Sequence, residues 1–93
     1  MAGLELVRVI WADAHSGPQE WQPLEEMDVA GEYLVETVGH LVPVTMGGKV
    51  DHVTLAQSIT PESYVDHVIY IPSAMVRSME TLTPVVPHII HSV

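Results

Sequence analysis

The chain has 93 residues, a formal charge of −9 and no cysteine, and hydrophobic residues make up 47% of it against 16% charged ones. This length fits one domain with a thin core, and the absence of thiols excludes disulfides, cysteine-ligated zinc, iron–sulfur clusters and a cysteine nucleophile. Because the only basic residues are Arg8, Lys49 and Arg77, we expect no binding to a nucleic-acid backbone or to an anionic membrane.

Residues 4–12 are rich in leucine, valine and isoleucine and contain no helix breaker, which predicts a first strand. Its apolar side chains alternate between two faces, with Val7, Val9 and Trp11 on one face and Leu6, Ile10 and Ala12 on the other. A strand that is apolar on both faces is usually covered on both sides. A neighbouring subunit is one candidate for the second cover.

A polar segment follows at residues 13–22, and Gly17-Pro18 within it is typical of a turn. A single helical turn is expected next, because Pro23 suits a first helical position and acidic residues follow near the positive end of the backbone dipole. Leu24 and Met27 are three residues apart, so we expect both to face the core.

Two further strands are predicted at residues 33–42 and 50–59, joined through Gly47-Gly48 as a two-residue hairpin turn. Gly39, in mid-strand, indicates a bend or bulge. This turn predicts the cross-strand pairs Val42 with Val53, His40 with Leu55 and Val38 with Gln57. It also predicts one shared buried face of Leu34, Val38, Val42, Val53, Leu55 and Ile59.

The last two strands are predicted at residues 68–71 and 75–82, separated by a break at Pro72-Ser73-Ala74. Pro84 and Pro87 then exclude a regular helix or a central strand. The predicted fold is therefore mainly β: a small five-stranded, strongly bent antiparallel barrel with one short helical turn and a C-terminal arm. We assign residues 1–83 to the barrel domain and residues 84–93 to the arm.

The passage Ile71-Pro72-Ser73-Ala74-Met75-Val76-Arg77-Ser78-Met79 resembles the strand, short 3₁₀ turn and closing strand of SH3-like and Sm-like barrels. The wider arrangement also resembles small uncharacterised bacteriophage proteins. The matching features are Trp11-x-Asp13, Trp21, Val38-Gly39 and Ile71-Pro72 ahead of a closing strand. The resemblance covers residues 4–82.

The resemblance implies a role as well as a fold. Sm-like barrels commonly form rings, which agrees with a chain that has few charged residues and a two-sided first strand. Some small phage proteins sequester nucleotide-derived immune signals inside oligomers, so the resemblance implies a phage-encoded, anti-defence role in the host cytoplasm. The N-terminus carries neither the basic region nor the apolar run of a signal peptide, which also favours a cytoplasmic protein.

The densest group of unusual side chains lies between the first strand and the predicted helical turn. Trp11 and Trp21 could stack a base or sugar, and Asp13 could accept hydrogen bonds from it. The full set of candidate ligand-binding residues is Trp11, Asp13, His15, Ser16, Trp21 and Arg77, with Lys49 as a second group to offset phosphate charge. The alternative makes both tryptophans core residues and Asp13 a turn-capping group.

Catalytic and metal-binding patterns are missing from the sequence. No serine stands in a Gly-x-Ser-x-Gly context, and His67 follows Asp66 on a predicted extended segment, where neighbours point to opposite faces. His88 and His91 lie three residues apart without a nearby carboxylate, and no His-Glu-x-x-His pattern occurs. We therefore expect no enzyme, no metal and no cofactor.

Two functions remain open. The first is a non-catalytic homo-oligomer that sequesters a nucleotide-like small molecule. The second is a protein–protein interaction or assembly module without a small-molecule ligand, with exposed strand edges and the C-terminal arm as its contacts.

Overall fold

The computed structural model describes residues 3–85, and its regular structure consists of five strands and three short 3₁₀ turns. In chain order these are β1 Leu6–Asp13, the first 3₁₀ turn Leu24–Glu26, β2 Tyr33–Leu41, the second 3₁₀ turn Val44–Met46, β3 His52–Ile59, β4 Val65–Pro72, the third 3₁₀ turn Ser73–Met75 and β5 Val76–Thr81. The prediction of a mainly β chain with five antiparallel strands is confirmed.

All five strands belong to one sheet, in the order β4-β3-β2-β1-β5. The edge strands β4 and β5 share no hydrogen-bonded ladder within residues 3–85. The predicted closed barrel is therefore wrong: the sheet stays open between these strands, although the short third 3₁₀ turn joins them. This turn interrupts the chain where the sequence predicted a break.

The core shows that the open sheet is strongly curled. Val7 and Val9 of β1, Leu55 of β3 and Ile71 of β4 form one buried cluster. Strands β1 and β4 are three positions apart in the sheet, which is roughly 14 Å in a flat arrangement. Their side chains can meet only because the sheet folds over on itself. The cluster is completed by partly buried Trp11, Leu41, Val53, Ile69 and Val76.

The β1–β2 ladder is the longest pairing in the sheet and runs from Leu6–His40 to Asp13–Tyr33. The predicted core face of β1 is confirmed at Val7 and Val9, which are buried, whereas Leu6 on the second predicted face is exposed. The Arg8 guanidinium bridges the strands on either side, with Nη2 3.0 Å from Glu36 Oε2 on β2 and Nη1 2.8 Å from Glu80 Oε1 on β5.

The predicted hairpin between β2 and β3 is wrong in both its turn and its register. Leu41 pairs with Leu55, and His40 pairs with Ala56, which is one residue away from the predicted alignment. The reason is the connection between the two strands, where Pro43 and Gly47 flank the second 3₁₀ turn. Gly47 has a φ of 106°, which lies in the left-handed region. The one-residue shift places Leu34 and Val38 on the exposed face instead of the core.

The helical-turn prediction is correct in position but wrong in packing. The first 3₁₀ turn covers Leu24–Glu26, directly after Pro23. Leu24 and Met27 are exposed, whereas the spacing predicted that both face the core. The predicted C-terminal arm, residues 84–93, lies outside the described residues except for its first two, and so do His88 and His91.

Gly48 is required by the close approach of two backbone segments in the β2–β3 connection. A Cβ atom at Gly48 would lie 2.2 Å from Val42 O and 3.0 Å from Pro43 O, so the loop would have to move. We expect Gly48→Ala to lower the free energy of unfolding by about 1–3 kcal/mol, as overpacking does, measured by urea denaturation.

The matched control is Gly17→Ala, because a Cβ there would meet only Gln22 Nε2, at 3.8 Å. This variant should unfold at the midpoint of the parent protein. Equal midpoints for the Gly48 and Gly17 variants would contradict the described loop.

Candidate functional site

Trp11 and Asp13 have structural partners in the described chain. Trp11 is partly buried against the core, and its Nε1 donates a hydrogen bond to Thr37 Oγ1 at 2.9 Å. Asp13 ends β1, and its Oδ1 accepts a hydrogen bond from the Ala14 backbone N–H at 2.8 Å. Both arrangements correspond to the alternative given by the sequence, a core tryptophan and a turn-capping aspartate.

One surface cavity, of about 430 Å³, collects three of the predicted site residues. Asp13, His15 and Arg77 all line it, although Arg77 comes from β5, more than 60 positions along the chain. The other lining residues are Ala12, Ala14, Gly31, Glu32, Pro72 and Met75. This cavity is called the Asp13 cavity below.

The remaining predicted residues lie elsewhere. Ser16 lines a neighbouring concavity with His15, formed by the loop between β1 and β2. Trp11 and Trp21 line neither concavity in the described part of the chain. The ring of Tyr33, which the sequence did not single out, is 6.2 Å from the His15 ring between centroids. Trp11 packs against the core and Trp21 is exposed in the loop, so their joint role in binding a ligand stays a prediction.

Arg77, which lines the Asp13 cavity, already forms an ion pair with the carboxylate of Glu32. Its Nε donates to both carboxylate oxygens of Glu32 at 3.0 Å, and its Nη1 donates to Ala74 O at 3.0 Å. The hydrogen bonds from Arg77 hold the pKa of Glu32 below its usual range and raise the pKa of Arg77. With Asp13 also present, the cavity carries two carboxylates and one guanidinium, which disfavours a phosphate group.

The orientation of the His67 and Asp66 side chains differs from the one predicted from the sequence. The sequence predicted that their side chains point to opposite faces, yet His67 Nδ1 is 3.1 Å from Asp66 Oδ2. His67 has a φ of 47°, and the β3–β4 register skips the position opposite Gln57, so the strand is locally irregular there. Both side chains are exposed. Among residues 3–85, no hydroxyl group hydrogen-bonds to His67, and no cluster of three metal-ligating side chains occurs.

The most unusual feature of the surface is the 14–32 loop between β1 and β2, for which the sequence predicted a turn, a helical turn and the candidate ligand residues His15, Ser16 and Trp21. Every residue of this loop is exposed. The side chain of Trp21 is fully exposed, and the exposed fractions of Leu24 and Val29 are 79% and 81%. Loops of this length without much regular structure are uncommon in compact domains and are usually either functional or linker segments. The large apolar side chains in this otherwise polar loop are the feature of the sequence that could have indicated an exposed contact surface.

An apolar groove lies at the other end of the β1–β2 ladder. It has a volume of about 230 Å³ and is lined by side chains from the chain start, the second 3₁₀ turn, β3 and β4. Its principal lining residues are Leu4, Val42, Met46, Val65, Val68 and Tyr70. The Lys49 ammonium lies 5.6 Å from the Tyr70 ring centroid. This surface is called the Tyr70 groove below.

Comparisons with protein families, with curated proteins and with solved structures found no match for this chain. In residues 3–85, no helix is both long enough and apolar enough to span a membrane.

The Glu32–Arg77 contact gives the site a defined pH response. A carboxyl group whose pKa is lowered by folding contributes stability above its ordinary pKa and loses it as the pH falls through the lowered value. We expect an NMR titration of the Glu32 carboxyl carbon to show this lowered pKa, and Arg77→Gln to return it to the usual range.

Arg8→Gln is the control, because Arg8 lowers the pKa of Glu36 instead. It should change the titration of Glu36 and leave that of Glu32 in place. Because both acids are exposed, the effect on overall stability should be small. A Glu32 carboxyl that titrates in the usual range with Arg77 present would contradict the contact.

Proposed function

We propose that this chain is a non-catalytic binding module that works as a homo-oligomer, with the 14–32 loop as its contact element. The observation that carries the proposal is the full exposure of Trp21 beside exposed Leu24 and Val29. Large apolar side chains that are exposed within one loop favour an interaction surface. Tryptophan in particular is enriched among the residues that dominate binding energy.

The fold agrees with this type of function. The strands lie in the order β4-β3-β2-β1-β5, and a 3₁₀ turn joins β4 to β5 along the chain. This arrangement supports an SH3-like or Sm-like architecture in which the sheet stays open between β4 and β5. A phage origin, an anti-defence role and a place in the host cytoplasm stay predictions of the resemblance.

A second candidate function is the capture of a nucleotide-like small molecule. One observation favours it: Asp13, His15 and Arg77 line a single cavity of about 430 Å³, where the His15 ring offers a surface for stacking. Glu32 weighs against it, because this carboxylate already neutralises the guanidinium that would hold a phosphate. The assembly function is therefore the stronger proposal.

Native mass spectrometry of the full chain, purified from a bacterial host, tests both candidates at once. We expect an oligomer for the parent protein and a monomer for the double variant Trp21→Ser, Leu24→Ser, because the contact element has lost its apolar anchors. Val50→Ser is the matched control, since Val50 is an exposed valine outside the 14–32 loop.

A reproducible extra mass that disappears in Asp13→Ala would support ligand capture and give the mass of the ligand. A parent protein that stays monomeric at all concentrations would contradict the assembly proposal.

A further inference from the structure

We infer that the 14–32 loop of one copy docks on the Tyr70 groove of a second copy of this chain, with the Trp21 indole in the groove. The inference rests on the proposed self-association and names the two surfaces that meet. Three independent observations carry it: the size and chemistry of the groove, the distribution of charge, and the placement of the two surfaces at opposite ends of the sheet.

The groove suits an aromatic side chain. An apolar protein cavity of about 150 Å³ accommodates benzene, and the Tyr70 groove has a volume of about 230 Å³. Its lining includes the aliphatic side chains of Val42, Met46 and Val68, and the aromatic ring of Tyr70 is half exposed at its side. Thr54, the buried polar residue there, already accepts a hydrogen bond from the Lys49 backbone N–H at 3.0 Å. The ring of an indole would therefore meet mainly apolar surface, and its N–H would need an acceptor such as the hydroxyl of the lining residue Ser63.

Charge complementarity points to the same occupant. The 14–32 loop contains no lysine or arginine, and its acidic residues are Glu20, Glu25, Glu26, Asp28 and Glu32. Arg8 and Arg77 are held in ion pairs by Glu36, Glu80 and Glu32. Among the described residues, Lys49 is the basic side chain without an acidic partner, and it lies against Tyr70 at the groove. An acidic loop docked there would supply the missing partner.

The placement of the two surfaces favours exchange between copies. The loop leaves the sheet at the Asp13–Tyr33 end of the β1–β2 ladder, and the groove contains Leu4 and Val42 at the opposite end. The eight residues of β1 separate these ends by roughly 27 Å. Two copies placed antiparallel bring each loop beside the groove of the other. Each copy then places its loop on the groove of the other copy and accepts the other loop on its own groove, as a closed symmetric interface requires.

Substitutions on each surface test the contact in the full-length chain. Trp21→Ser removes the anchor, and Met46→Asp places a charge at the groove on a residue that is 57% exposed, so neither change should disturb the core. We expect each variant to weaken self-association by roughly 10-fold or more, as loss of an aromatic hot spot does. Val38→Asp adds the same charge at an exposed valine of β2 outside the groove and should leave association unchanged. Sedimentation velocity measures all three.

Cross-linking provides a direct second measurement, because the chain contains no cysteine. Gln22→Cys, next to Trp21, and Met46→Cys are prepared separately, mixed and treated with a short bis-maleimide. We expect a mixed covalent dimer, identified by its mass. The control mixture of Gln22→Cys with Ser78→Cys, on the edge strand β5, should give little product.

The outcomes separate this inference from the proposed function. If the parent protein is an oligomer and both Trp21→Ser and Met46→Asp keep its mass, the docking inference is wrong and self-association by another surface stands. If only the β5 control cross-links, the same conclusion follows. A parent protein that is monomeric at every concentration overturns the docking inference and the proposed function together.

Discussion

The small size of the core is the constraint on which the rest of this structure depends. Four large side chains, Val7, Val9, Leu55 and Ile71, are fully buried, and they meet only because an open five-stranded sheet curls over on itself. A chain of 93 residues buries a smaller share of its surface than a larger domain, and this one has no disulfide to compensate. Oligomerisation is a common way for a small domain to bury further apolar surface, and it is the solution that we propose for this chain.

The unburied surface is divided between two places on the chain. The 14–32 loop carries exposed Trp21 and Leu24 with an excess of acidic residues, and the Tyr70 groove is apolar with Lys49 beside it. In the proposed contact, the acidic 14–32 loop of one copy meets the apolar groove and Lys49 of another copy. Self-association accounts for both with one contact, whereas a ligand in the Asp13 cavity would account for neither.

The sequence predicted the strand count and the break before β5, because apolar runs and prolines signal these locally. It could not predict the β2–β3 register, since Pro43 and Gly47 replace a two-residue turn by a 3₁₀ turn and shift the pairing by one residue. Spacing placed Leu24 and Met27 on one side of a turn, but spacing cannot say whether a core lies there. In the site, Asp13, His15 and Arg77 of the predicted ligand-binding set line one cavity, and their binding of a ligand stays a prediction. The Glu32–Arg77 ion pair joins residues 45 positions apart and depends on the sheet order.

The most direct test follows the two tryptophans separately by ¹⁹F NMR of protein labelled with 5-fluorotryptophan, with Trp21→Phe used to assign the resonances. Trp11 lies against the core, so its resonance should be insensitive to protein concentration. The account predicts that Trp21 is shielded from solvent at high concentration, shown by a small solvent-isotope shift, and becomes exposed on dilution as the copies separate. A Trp21 resonance that reports full solvent exposure in the oligomer would contradict the account.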